Sequence, residues 1–215
     1  MTDGYRLVRS DRRTLCLTVD SGGALIVRAP RRMPLAEIEG FIAQKREWIE
    51  RWQSAARQPR PALRLEDGET LPCLGEALTL RFGDFPRARR EGDTLLTPPS
   101  AAVIADWARE EAARLLPVRI EAMERRSGLR ARSLHITAAK GRWGSMNQRG
   151  DLRLNRALLL CPPEIVDYVI AHELAHIEHP DHSAAFWARV ERILPDYAAR
   201  RRWLKQNAYL VRYFE

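Results

Sequence analysis

Lysine is nearly missing from this chain. Lys45, Lys140 and Lys205 are the only three, and every other basic residue is arginine. With so many alanines alongside, that excess reads as a coding bias as much as a basic surface. The net charge of +8 and pI near 10.0 therefore leave a nucleic-acid partner open only as the lesser reading. Cysteine is scarce too: Cys16, Cys73 and Cys161 are far apart, odd in number and without Cys-x-x-Cys spacing. That pattern argues against a disulfide framework and fits reduced core thiols in a cytoplasmic protein. No apolar run is long enough to span a bilayer, and the charged, Arg-rich N-terminus is no signal peptide. There is no Gly-Lys-Ser/Thr phosphate loop, no internal repeat and no low-complexity segment. What is present, 45% hydrophobic and 30% charged residues over 215 positions, is the profile of a globular protein.

The N-terminal part reads as strands. Leu15, Leu17 and Val19 alternate with polar neighbours, Asp20-Ser21-Gly22-Gly23 turns the chain, and Ala24–Val27 returns, with Tyr5–Val8 as a third strand. From Leu35 the period becomes helical, and Leu35, Ile38, Phe41, Ile42, Lys45, Trp48, Ile49 and Trp52 form one stripe expected to pack into a core. Residues 55–62, with Pro59 and Pro61, read as a linker. Short strands are expected at Thr70–Leu74, Ala77–Phe82 and Asp93–Thr97. A helix follows from about Ser100 to Arg126, kinked or broken at Pro117. Ser133–Thr137 and Asp151–Asn155 read as two strands of a long hairpin. The glycine-rich connection between them carries Trp143, which either lines a cleft or covers the core edge. A helix starting at Pro162-Pro163 is apolar nearly all round and expected to end at Pro180. Two more follow, from Ser183 to Leu194 and after Pro195-Asp196.

Four of the five histidines fall on or just after that buried helix: His172, His176, His179 and His182. The core reads His172-Glu173-x-x-His176. Residues four apart share a helix face, so these two imidazoles can grip one metal ion. A catalytic zinc takes three protein ligands and keeps one position for water. His179 shares the face of His172 but would lie ~10.5 Å further along a straight helix, too far for imidazoles that must each approach to about 2.0–2.1 Å. A turn at Pro180-Asp181 would instead return His182. The first-to-last ligand count then equals that of the metzincin pattern, with His179 where that pattern has its turn-forming glycine. His179 is left as a rim residue supporting the ligands. Glu173 is the candidate general base for a zinc-bound water attacking a peptide bond. A structural zinc would want four closed ligands, usually with cysteine, and no cysteine lies in this cluster. From Ala157 to Ala188 there is no Lys or Arg, while Glu164, Asp167, Glu173, Glu178 and Asp181 all occur there. Such carboxylates can hold the far N–H of ligating imidazoles.

Several runs carry a family resemblance: Gly141-Arg142-Trp143-Gly144-Ser145, Leu152-Arg153-Leu154-Asn155, Pro162-Pro163-Glu164, the His172–His176 motif, His182-Ser183-x-x-Phe186-Trp187, Pro195-Asp196-Tyr197 and Arg202-Trp203-Leu204-Lys205. Arg32-x-Pro34-Leu35 and Lys45-x-x-Trp48-Ile49 add the N-terminal half. Together they resemble the YgjP-like zinc metallopeptidases, bacterial cytoplasmic zincins near the SprT-like and WLM proteases. The resemblance implies Zn2+ on His172, His176 and His182, Glu173 as the catalytic glutamate, and a peptide or protein substrate. It departs where the family has Trp-Gly-Ser-Cys: here Met146 stands in the cysteine's place, which excludes a thiol role and leaves a flexible apolar filler.

The expected fold class is therefore α+β, a zincin-like metallopeptidase domain with a strand-rich N-terminal part. Residues 1–98 would hold the strands and one long helix, and residues 99–215 the metallopeptidase domain. Two alternatives stay open: a metal-dependent nucleoside-triphosphate pyrophosphatase on the same site, as some YgjP-like relatives are assigned, and a DNA-associated SprT-like protease or binding module.

Overall fold

The computed structural model describes residues 4–20, 22–57 and 63–214. Ser21 of the expected turn and residues 58–62 of the expected linker lie outside them. The chain divides into two compact units, Met1–Arg60 and Pro61–Glu215. The division falls well before the boundary expected at residue 98. The reason is packing: Leu71, Leu78, Leu80 and Leu95, from the strands before residue 98, share one core with the histidine helix.

In the first unit β1 (Tyr5–Ser10), β2 (Cys16–Val19) and β3 (Leu25–Pro30) form a sheet in the order β1-β3-β2. β1 runs parallel to β3 and β2 antiparallel, with Tyr5 opposite Leu25 and Cys16 opposite Arg28. Alternation decides the buried face: Leu25, Val27 and Ala29 point inward, where they meet Ile38 and Ile49. The Asp20 carboxylate closes the β2–β3 turn by accepting the N–H groups of Gly22 and Ala24, each at 2.9 Å. The expected long helix is two, α1 (Leu35–Gln44) and α2 (Arg46–Arg57). At the break the Lys45 N–H is shared between the Phe41 and Ile42 carbonyls, a tightening that ends α1. Of the expected core stripe only Ile38 and Ile49 are buried; Leu35, Trp48 and Trp52 lie at the surface. A three-stranded sheet offers too little apolar area to cover the whole stripe.

In the second unit β4 (Thr70–Cys73), β5 (Glu76–Phe82), β6 (Arg89–Glu91) and β7 (Thr94–Thr97) form a sheet ordered β4-β5-β7-β6. The polar β6 carries no hydrophobic signal and escapes a pattern reading. The β4–β5 turn places both Leu74 and Gly75 at positive φ, the geometry of a two-residue hairpin that matches strand twist. A Cβ on Gly75 would come within 3.0 Å of Pro163, so the turn seats closely on the start of the histidine helix.

α3 (Ala101–Ser127) runs unbroken past Pro117. Pro117 sits on the exposed face, where the carbonyl it deprives of a partner can turn to water. Ser100 caps the start, and Gly128, at φ +74°, ends the helix in the left-handed conformation.

The second sheet of this unit is ordered β8-β10-β9, from β8 (Ser133–Thr137), β9 (Gly144–Met146) and β10 (Asp151–Asn155). The expected 133–155 hairpin is thereby corrected. β8 and β10 are parallel, and the hairpin is β9–β10, whose short strand hides inside the presumed connection. α4 (Pro163–Ala175) packs against α3, β9, α5 (Ala184–Ile193) and α6 (Tyr197–Gln206). Arg119 of α3 clamps Asp167 of α4 with two bonds of 2.9 and 2.8 Å. Among the described residues no helix is long and apolar enough to cross a membrane.

Candidate metal centre

α4 is buried on nearly every side: Ile165, Val166, Tyr168, Val169, Ile170, Ala171, Leu174 and Ala175 are all in the core. Its last helical residue is Ala175, five before the expected stop at Pro180. His176 already occupies the C-cap, and the next amides reach back only three residues, Ile177 to Leu174 and Glu178 to Ala175. This early tightening begins the return that brings His182 to the helix.

The return is held at several points. Arg189 of α5 reaches Glu178 at 2.6 Å and the Ser127 carbonyl at 2.8 Å. The Asp181 carboxylate accepts the Ser183 N–H at 3.1 Å, and the Ser183 hydroxyl caps α5 through Phe186. His182 Nε2 then lies 3.2 Å from His172 Nε2. One ligand atom from each of His172, His176 and His182 lies within 4.8 Å of the others. Two nitrogens each about 2.0–2.1 Å from a tetrahedral metal stand about 3.3 Å apart, so the His172–His182 separation suits a shared ion. Beneath them the fully buried Phe186 ring stacks on His176 at 4.5 Å and meets His172 and His182 edge-on at 4.9 and 4.8 Å.

Burial favours the neutral form of His172 and His176, the form that binds a metal. His172 is pushed down to about 3, chiefly by burial and then by His176, His182 and Arg201. His176 is lowered by burial, against the His179 carbonyl, which accepts its Nδ1–H at 3.0 Å. That bond leaves His176 Nε2 as the free donor atom. His179 thus supports His176 through its backbone carbonyl, its ring lying outside the cluster. One expectation is corrected: among the described residues the nearby carboxylates hold no ring N–H. Asp167 is taken by Arg119, Glu178 by Arg189 and Asp181 by Ser183. His172 Nδ1 is buried with no partner among the described residues.

Glu173 is 6% exposed, and burial raises its pKa to about 7 against the Met146 N–H it accepts and the charge of Arg142. The wall that buries it is β9: a Cβ on Gly144 would stand 2.8 Å from Glu173 Cγ and Oε1. Only glycine permits so close an approach. Asn155, 1% exposed, braces the same wall. Its side-chain amide donates to the Ala139 and Arg142 carbonyls at 2.7 and 2.9 Å, and its N–H to Trp143 O at 2.8 Å. Trp143 itself is half-buried against the core. Gly144, Asn155 and Arg189 thus act on the site without standing out as chemistry-bearing residues. A buried polar residue closing the alternation Leu152-Arg153-Leu154-Asn155 is the one signal that could have found Asn155.

A triad able to hold one metal ion within a mixed α+β fold defines a candidate metal centre, and the family it falls in gives the class, metal-dependent peptidases. The model of the YgjP-like metallopeptidase domain matches residues 13–207, and the chain belongs to that family. It is also similar to the crystal structure of the metallopeptidase zymogen of Pyrococcus abyssi abylysin. That likeness is 24% identical and covers 42% of this chain and 93% of that one, with a TM-score of 0.38. No curated protein matches the chain.

Proposed function

We propose that His172, His176 and His182 hold a zinc ion and that the protein hydrolyses peptide bonds with Glu173 as general base. The observation that carries this is the convergence of three imidazoles beside one buried carboxylate. A zinc ion there would supply Lewis acidity, making water more acidic and polarising the substrate carbonyl. Glu173, ionising near neutral pH, takes the proton of the attacking water and passes it to the leaving amine. The Met146 N–H keeps the carboxylate oriented, and the β9 wall keeps bulk water away. β9 is an edge strand with only β10 beside it, so an extended peptide can lie along it. The cysteines that sequence reads as thiols are free, and we assign the protein to the reducing cytoplasm.

Metal analysis of the purified protein should give one zinc per chain. Glu173→Gln should keep that zinc and lower peptide hydrolysis about 10²–10⁴-fold. Full activity in Glu173→Gln would end the mechanism. Glu173-dependent turnover of nucleoside triphosphates, with no peptide cleaved, would replace the substrate class.

A further inference from the structure

The histidine segment contains no cation of its own, yet one is brought to its rim from α6. The Arg201 guanidinium carbon stands 4.1 Å over the centre of the Trp187 ring. Trp187 in turn lies 5.7 Å, ring to ring, from both His172 and His182. Its ring is stacked on Tyr197 at 5.6 Å and 19°, which fixes its plane. Arg201 is half-buried and makes no ion pair with a carboxylate among the described residues. Its neighbour Arg200, by contrast, is taken up by Asp196 and the Glu164 carbonyl. A partly desolvated guanidinium without a counter-ion is costly, so its place at the rim calls for an anion that arrives from outside.

A second polar group borders His172. Tyr168, one turn before His172 on α4, is 3% exposed, and its ring lies 5.9 Å from the His172 ring. Arg201 is close enough for its charge to be felt at this hydroxyl and at His172. A phenol is protonated at neutral pH, so it is available as a donor. A planar guanidinium fork stacked on an aromatic face, with a phenolic donor nearby, is suited to recognising a carboxylate.

We propose that Arg201 and Tyr168 form a subsite for a carboxylate of the peptide substrate. The carboxylate is either the C-terminal one or that of an acidic side chain flanking the cleaved bond. The assignment rests on the peptidase reading but is tested by binding, which does not need turnover.

The probe is a set of fluorescein-labelled, alanine-rich hexapeptides bound to the metal-loaded Glu173→Gln protein. A free C-terminal acid is compared with its amide, and an internal Glu with Gln in the amidated series. In one arm or the other the acidic peptide should bind about tenfold more tightly or better. The arm that responds identifies the source of the carboxylate. Adding Arg201→Met should bring that ratio to within about twofold of one, and Tyr168→Phe should lower it by a smaller factor. Arg201→Gln, which keeps a polar group over Trp187, serves if the Met variant does not fold. Equal binding of acidic and neutral peptides in both arms, or a preference that survives loss of the guanidinium, overturns the proposal. So does triphosphate binding that depends on Arg201 without any carboxylate preference. Failure of the wild type to cleave any peptide would count against the peptidase reading and leave the binding comparison standing.

Discussion

Two of the three imidazoles stand on a helix buried on nearly every side, while the third stands on an exposed turn. The α4 pair, with Glu173, is held by packing: α3, α5, α6 and β9 all press on the helix, and the Arg119–Asp167 clamp ties it to α3. His182 has no such enclosure. Its ring rests on Phe186 and Trp187, and the turn that carries it is held by discrete bonds: Arg189 to Glu178, Asp181 to Ser183, and the His176 ring to the His179 carbonyl. A centre built this way is rigid on one side and adjustable on the other. Metal affinity should respond to the tethers, and proton chemistry to the packed wall.

The sharpest way to break the packed side is Gly144→Ala. Its Cβ would collide with Glu173 at 2.8 Å. Peptide hydrolysis should fall on the order of 100-fold, with about 1–3 kcal/mol lost in stability and the metal retained. Steady-state kinetics beside a thermal melt would show it; an unchanged kcat/KM would mean that β9 does not seat Glu173.

Next in size is a pH effect confined to the metal-free protein. Glu173 ionises near 7 when folded and near 4.5 otherwise. Between those values the folded chain keeps a proton that the unfolded chain has released, so stability falls as pH rises through that window. The fall is on the order of 3 kcal/mol once ionisation is complete. Urea melts in chelator from pH 4.5 to 8 should therefore show Glu173→Gln gaining on the wild type as pH rises. His172, held down to about 3 in the fold against 6.5, works the other way, adding stability as pH climbs across that range. It does so in both proteins and cancels in the difference. A flat difference would mean that Glu173 is not desolvated.

On the tethered side, Arg189→Met should raise the metal dissociation constant about 10–100-fold in a chelator competition. Asp167→Asn makes the contrast. Breaking the α3–α4 clamp should cost about 1–3 kcal/mol of stability and leave metal affinity within about threefold. Equal metal losses in the two variants would erase the distinction between the sides. The smallest effect belongs to His179→Ala, which keeps the carbonyl and removes only the ring. Its metal affinity should stay within about threefold of the wild type by the same titration.

Much of the fold was legible because its signals are local. The alternation around Leu25 and Val27, the capping Ser100 and the apolar surround of α4 each declare an element within a few residues. What failed did so where a distant partner decides. Ser133–Thr137 and Asp151–Asn155 look like a hairpin until the short Gly144–Met146 strand takes one side of β10 and forces β8 to the other. Trp48 and Trp52 match a buried stripe, but burial depends on how much sheet there is to cover them. Pro117 should interrupt a helix, yet its place on the exposed face of α3 makes it tolerable.

The site divides in the same way. Residue identity and spacing alone determined the donor types, the shared face of His172 and His176, and the need for a turn before His182. Only the tertiary structure decided that the helix stops at Ala175, that a backbone carbonyl orients His176, and that Gly144 seals Glu173 from water. Helix periodicity is set by neighbours a turn apart. Desolvation and convergence are set by whatever the fold brings from elsewhere: β9, some thirty residues before Glu173, and Arg189 and Arg201 beyond the last histidine.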